Sequence, residues 1–352
     1  MELTSYTSDK IKVISFWAMI MVVFIHSYNL VLKFNSSSLV STNQYNTFVQ
    51  GFISGGLARI SVPIFFLISG FLFFYNTSLT SELYIQKLNK RIKTLLIPYL
   101  IWSFWGLLFF WGLQSMPYSS QFFRNQPIRQ LSGYEIILKL FVNPLPYQLW
   151  FMQNLIFLVL LTPIIQLTIN KLSYLILVPI LSLYFLNKNL YIITGEALLF
   201  FTLGSFLAIK KVVVNRLWIK RTSIILSIIW ILILIIRVLV IKEPENGPFI
   251  KVANLIGIVA VWGLYDLFLQ NVEFSSKWYF ELFSFSFFIY AFHEPVMTII
   301  KKMLFYILGF SEINVLLIYF LSPFLTILIS LFFAMLFKKY QLRFYNLITG
   351  NR

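Results

Sequence analysis

Cysteine is absent and charge is scarce. The 352 residues include no Cys, two His and only 12 Asp plus Glu. Without thiols there is no disulfide, no cysteine nucleophile, no Cys-ligated zinc and no iron–sulfur centre. Charged residues make up 11% of the chain, against roughly 25% in an average soluble domain, and apolar residues reach 59%. A soluble fold of this size has no interior large enough to hide that much apolar surface. The composition therefore excludes a water-soluble protein and implies a polytopic membrane protein.

What is plentiful agrees. There are 39 Phe and nine Trp, and Lys plus Arg reaches 28 for a net charge of +16. The basic residues fall in short runs between apolar blocks, as the positive-inside rule expects, so they read as topology signals and no nucleic-acid partner is expected. A crossing helix needs about 20 apolar residues. Ten such runs stand out: 11–33, 52–75, 94–114, 148–169, 172–187, 190–209, 222–241, 250–270, 279–300 and 313–337. The fifth is short and Pro295 breaks the ninth. The first is full membrane length and lacks a small-x-small cleavage site, so it reads as a span and not a signal peptide. The 115–147 connection, with Pro117, Pro127, Pro144 and Pro146, reads as a loop carrying a short helix near 133–141. The expectation is an all-α helical bundle of about ten transmembrane helices, one integral-membrane domain over 1–352. Basic residues such as Lys10, Lys12, Lys90, Arg91, Lys93, Lys210, Arg216, Lys338 and Arg352 put both termini in the cytoplasm. Lys301 and Lys302 fit this scheme poorly, because it places them near the outer surface.

An ionisable side chain inside a span costs roughly 2.5–3.5 kcal/mol, so each one asks for a reason. Both histidines, His26 and His293, fall within spans, and Arg59, Glu196, Arg237, Asp266 and Glu294 lie in spans or at their edges. His26 lies 14 residues beyond Lys12, a rise of about 21 Å. His293 and Arg59 come out at a similar height, in the outer half of the bilayer. Arg59 reads either as a functional group or as the counter-ion of Glu196 or Glu294. Glu196 and Arg237 read as interface residues whose long stems snorkel, and Asp266 as a packing residue near the cytoplasmic end.

The segment Ile11-Lys12-Val13-Ile14-Ser15-Phe16-Trp17 through Phe24-Ile25-His26-Ser27 resembles the first span of the acyltransferase-3 family of membrane acyltransferases. Further stretches are similar to the family in order: Arg59-Ile60-Ser61-Val62-Pro63 through Ile68-Ser69-Gly70-Phe71-Leu72; Lys90-Arg91-Ile92-Lys93-Thr94-Leu95-Leu96-Ile97-Pro98-Tyr99; Leu149-Trp150-Phe151; Phe200-Phe201-Thr202-Leu203-Gly204; and Phe288-Ile289-Tyr290-Ala291-Phe292-His293-Glu294-Pro295. The resemblance covers essentially the whole chain. It implies an enzyme of the bacterial cytoplasmic membrane that moves an acyl group, usually acetyl from acetyl-CoA, to a hydroxyl of a cell-surface polysaccharide or lipid-linked glycan. The family places Arg, then ten residues, then His in its first span. His26 fits, but the Arg position holds Ser15, and Lys12 one turn away is the nearest cation that can replace it. Gln153-Asn154 also departs from the Arg-Asp found in many relatives.

Acyl transfer from a thioester to an alcohol needs a base for the hydroxyl, a donor for the oxyanion, and exclusion of bulk water. His26 is the expected general base, Glu294 or Glu196 its orienting carboxylate, and Arg59 the holder of a substrate oxygen. His293, Trp150 and Lys12 are read as substrate-binding. Lys90, Arg91 and Lys93 are read as contacts for the CoA phosphates, with acetyl-CoA as donor and no metal. A homodimer is left open. The competing readings are a multi-pass transporter or flippase of a glycan or small metabolite, which charged groups at depth and broken spans also fit, and an inactive relative, which Ser15 favours.

Overall fold

A computed structural model describes residues 4–33, 38–76, 80–117, 126–214, 220–274 and 277–351. Of the basic residues read as inner, Arg216 and Arg352 lie outside these. The fold is all-α. Among the described residues fifteen α-helices follow in order: α1 Ser5–Ser27, α2 Gln44–Ile53, α3 Ser61–Phe74, α4 Ser81–Arg91, α5 Ile97–Gln114, α6 Gly133–Phe141, α7 Trp150–Leu160, α8 Thr162–Leu172, α9 Leu177–Phe185, α10 Gly195–Ile209, α11 Lys220–Ile236, α12 Pro248–Phe268, α13 Ser286–Leu308, α14 Glu312–Tyr340 and α15 Leu342–Thr349. Two small antiparallel hairpins, β1 Val31–Lys33 with β2 Ser38–Val40 and β3 Asn189–Leu190 with β4 Ile193–Thr194, are the only strands among the described residues.

Eight helical runs among the described residues are long and apolar enough to cross a membrane, and two shorter apolar helices, Tyr147–Leu160 and Gly195–Ile209, accompany them. The chain is an integral multi-pass membrane protein. The expected spans 148–169 and 172–187 are divided differently in the structure. A single helical run covers Thr162–Phe185. Ser173 interrupts it, with φ 52 and ψ −129, a backbone no regular helix uses. The helix expected near 133–141 is present as α6. Ser132 caps it in a capping box, its hydroxyl accepting from the Glu135 N–H while the Glu135 carboxylate accepts from the Ser132 N–H.

The chain forms two compact units. The first comprises Met1–Ile25, Gly51–Asn89 and Asn154–Ser286. Its tightest packing is α3 on α10. A Cβ at Gly204 would lie 1.9 Å from the Leu67 carbonyl oxygen, and one at Gly70 would lie 2.1 Å from that of Phe201. Only glycine lets the two backbones approach this closely, the usual small-residue contact of membrane helices. Three salt bridges are formed in this unit. Lys10 Nζ lies 2.6 Å from Asp266 Oδ1, with the Tyr6 hydroxyl donating to the same oxygen. Arg237 pairs with Glu243 at 3.7 Å. Arg59 pairs with Glu245.

The second unit comprises His26–Gln50, Lys90–Gln153 and Phe287–Arg352. Here α6 lies along α5: the Tyr99 hydroxyl donates to the Phe141 carbonyl at 3.0 Å, and Ser103 donates to that of Leu140 at 2.8 Å. The indole of Trp102 donates to the Ile348 carbonyl at 2.9 Å, tying α15 to α5. A buried amide network, Asn29 with Gln50 and Asn46 with Glu312, closes the opposite end around α2 and the start of α14.

Candidate active site

The site grows from a broken helix. Pro295 has no N–H to give the Ala291 carbonyl four residues back, and Glu294 leaves helical geometry at φ −112, ψ 134. The carbonyls so freed are both taken by one side chain. Gln148 Nε2 donates to Ala291 O at 3.1 Å and to Glu294 O at 2.9 Å. The Tyr290 hydroxyl returns a bond to the Gln148 carbonyl at 2.8 Å. This clamp holds the short 3₁₀ turn Tyr147–Leu149 against α13, and so fixes Tyr147 beside the kink.

Tyr147 connects two of the expected catalytic groups. Its hydroxyl lies 2.7 Å from His26 Nδ1 and donates to Glu294 Oε1 at 3.3 Å. The other carboxyl oxygen of Glu294 accepts from Thr298 at 2.9 Å. Glu294 is buried, whereas His26 is half-buried and Tyr147 is 49% exposed, so the chain runs from an enclosed carboxyl to groups a substrate can reach.

His293 stands beside them, its ring centroid 5.1 Å from that of His26. It is fully buried. Its Nδ1 faces two carbonyl acceptors, Tyr290 O at 2.7 Å and Ile289 O at 3.2 Å, so Nδ1 carries the proton. Its Nε2 is buried and has no hydrogen-bond partner among the described residues. Lys301 donates to the His26 carbonyl at 2.5 Å and to that of Tyr28 at 3.4 Å, satisfying the carbonyl end of α1 with a cation. The poor fit of Lys301 as an outer-surface residue thus has a local answer.

Three of the residues singled out from sequence, His26, His293 and Glu294, are brought together, and Trp150 lies one helical turn beyond Tyr147 at the head of α7. Lys90 and Lys93 are exposed and Arg91 half-buried, where α4 passes through a π turn, Ile92–Leu96, into α5. Arg59 and Lys12 belong to the first unit. There Arg59 forms a salt bridge with Glu245, donates to the Ser54 carbonyl at 3.2 Å and also faces Glu196 electrostatically. Lys12 lies over the Phe280 ring at 3.7 Å. Glu196 faces Arg59 and Lys251 electrostatically in that same unit. Asp266, read as a packing or interface residue, is buried and forms a salt bridge with Lys10.

Sequence reasoning missed Tyr147, Gln148, Thr298 and Lys301. The Leu149-Trp150-Phe151 stretch pointed within two residues of Tyr147, and Thr298 stands four residues after Glu294 at helical spacing. Among the described residues no three His, Asp or Glu side chains gather as a metal site requires.

A family model described as an acyltransferase domain, that of the acyltransferase-3 family, matches residues 10–335. The chain is 24% identical over 310 residues to the succinoglycan biosynthesis protein ExoH of Rhizobium meliloti, spanning 86% of this chain and 81% of that protein. No solved structure matches. With eight membrane-length apolar helical runs among the described residues and a family match through nearly its whole length, the chain belongs to the acyltransferase-3 family and is a membrane enzyme that transfers acyl groups.

Proposed function

We propose that the enzyme transfers an acyl group, acetyl in the simplest case, from cytoplasmic acyl-CoA to a hydroxyl of a cell-surface polysaccharide or lipid-linked glycan, with His26 as general base. The observation that carries this reading is the hydrogen-bonded chain His26–Tyr147–Glu294. The phenol has a single proton. With that proton given to Glu294, the phenol oxygen accepts from His26 Nδ1–H, and His26 Nε2 is left as the basic nitrogen. Nε2 removes the acceptor's hydroxyl proton as its oxygen attacks the thioester carbonyl. The tetrahedral intermediate then collapses, the C–S bond breaks, and the CoA sulfur takes the proton from Nε2–H. Glu294 holds the chain in this tautomer.

The remaining assignments follow from chemistry. Arg59 is assigned a substrate oxygen, Glu245 holding its guanidinium beforehand. His293, with its unpartnered Nε2, and Trp150 are assigned to substrate contact. Lys12 supplies the cation that the family pattern puts at Ser15. Lys90, Arg91 and Lys93 are assigned to the CoA phosphates, which suit a mixed Lys and Arg cluster. The positive-inside pattern favours cytoplasmic termini and the bacterial inner membrane. The family match runs through both units, which favours one catalytic domain over 1–352. The polysaccharide in the relative's printed name supports a glycan acceptor.

The test is turnover of radiolabelled acetyl-CoA by purified protein, wild type against His26→Ala, with folding checked by circular dichroism. Loss of about 10²–10⁴-fold in rate is expected. Undiminished turnover in the variant overturns the assignment, and glycan transport without any wild-type turnover points to a transporter instead.

A further inference from the structure

The groups around His26 close into a ring. On one side the chain runs from the imidazole through the Tyr147 hydroxyl to Glu294. On the other side Lys301 Nζ donates to the His26 carbonyl at 2.5 Å and to that of Tyr28 at 3.4 Å. The two sides meet on α13. Thr298 Oγ1 donates to Glu294 Oε2 at 2.9 Å, and Lys301 stands three residues after Thr298, its neighbour on the helix surface. Lys301 and Glu294 act on each other through space, and Lys302 adds a like charge beside Lys301. His293 spends its Nδ1 proton on the carbonyls of Tyr290 and Ile289. One ammonium therefore bears on His26 twice, by contact with its carbonyl and by charge at the far end of its hydrogen-bond chain.

Which nitrogen of His26 is basic depends on the charge of Glu294. Both carboxyl oxygens accept hydrogen bonds, one from Tyr147 and one from Thr298, as a carboxylate does. With Glu294 ionised, the phenol proton points to the carboxylate, the phenol oxygen accepts from Nδ1–H, and Nε2 keeps its lone pair. With one more proton, taken from solvent onto Glu294, the acid O–H donates to the phenol oxygen instead. The phenol O–H then turns to Nδ1. The imidazole stays neutral, but its Nδ1 proton is lost to solvent and Nε2 gains one. That nitrogen no longer takes a proton from an attacking hydroxyl. An ammonium attracts a carboxylate and not a neutral acid, so Lys301 favours the first arrangement.

We propose that Lys301 is a positioning residue for acyl transfer: its charge holds Glu294 as a carboxylate, and through Tyr147 this fixes His26 in the tautomer with a basic Nε2. The catalytic meaning of that tautomer rests on His26 as the general base. The tautomer itself is observable without turnover, so the two claims fail separately.

The chain has two histidines, so solid-state NMR of the full-length protein in lipid vesicles, grown on isotope-labelled histidine, resolves each ring. The His26 signals are those lost in His26→Ala. The decisive variant is Lys301→Gln, whose amide still donates to the carbonyls at the end of α1 but carries no charge. Near neutral pH the wild type should hold the His26 proton on Nδ1 and Lys301→Gln on Nε2, with Lys301→Arg restoring the wild-type pattern. In acetyl-CoA turnover, kcat of Lys301→Gln should fall about 10²-fold, the low end of a general base's contribution, with little change in KM. It should recover as pH is raised and Glu294 gives up the extra proton. A proton on Nδ1 in Lys301→Gln, or on Nε2 in the wild type, overturns the proposal. So does a loss of kcat that is the same at every pH, which a purely helix-capping role predicts. A switched tautomer with undiminished turnover supports control by Lys301 and overturns His26 as the base instead.

Discussion

In the first unit, cations meet carboxylates: the buried Lys10 with Asp266, the buried Arg237 with Glu243, and the half-buried Arg59 with Glu245. In the second, the titratable groups of the site hydrogen-bond to neutral groups, His26 to a phenol, Glu294 to a phenol and a threonine, His293 and Lys301 to backbone carbonyls, while Glu294 and Lys301 act on each other through space. The difference is one of purpose. Opposite charges in contact fix each other and leave no proton to move. On the proposed function, the imidazole–phenol–carboxyl chain holds His26 in one tautomer while its other nitrogen gains and loses a proton.

Breaking a pair in the first unit should give the largest loss of stability and no specific chemical signature. Asp266→Ala leaves Lys10 buried and unpartnered by charge, and should cost about 3–5 kcal/mol in thermal unfolding of the detergent-solubilised protein. Replacing both, as Lys10→Met/Asp266→Leu, should regain most of it, because an apolar pair avoids the desolvation cost. If the double variant is as unstable as the single, the pair is not a self-contained structural unit.

Cutting the chain in the second unit should show the opposite profile. Tyr147→Phe removes one hydroxyl at a half-exposed position, so the melting temperature should barely move. Turnover should fall by about 10–100-fold, the rate equivalent of a charge-assisted hydrogen bond of about 1.5–3 kcal/mol. The same substitution in a His26→Ala background should cost little more, since the two act as one chain. Additive losses would separate them.

Two smaller effects sharpen the structural side. Gly204→Ala forces α3 and α10 apart and should cost about 1–3 kcal/mol, the range for overpacking, with the surviving folded protein still active. Ser132→Ala should cost about 1 kcal/mol of α6 stability, read as faster amide exchange in that helix. The Ser132 backbone N–H and hydroxyl hold the Glu135 carboxyl below its ordinary range. A depressed carboxyl stabilises fully above its unfolded value and loses that stabilisation as pH falls through its folded value. Protection of α6 should therefore fade on the acid side in the wild type and less so in Glu135→Gln.

Hydropathy made the helices legible, because in a bilayer every crossing must be apolar and internally hydrogen-bonded. His26, His293 and Glu294 stood out for a related reason: ionisable groups within apolar runs are costly and ask for a role. Tyr147 did not stand out. An aromatic residue after two prolines has no periodic signal, and its position depends on Gln148 reaching carbonyls more than 140 positions away in sequence. The Lys10–Asp266 pair spans 256 positions and was equally hidden. Lys301 looked misplaced only because its role is to close the end of a different helix. Local pattern reveals which residues are expensive; the long-range contacts decide what each expense is for.

The central claim, that His26 supplies the base, is tested most directly by chemical rescue. Acetyl-CoA turnover would be measured for purified His26→Gly with and without added imidazole. Very low turnover that rises with imidazole concentration, and follows the neutral fraction of free imidazole as pH changes, is the predicted result. Turnover equal to wild type without imidazole would contradict it.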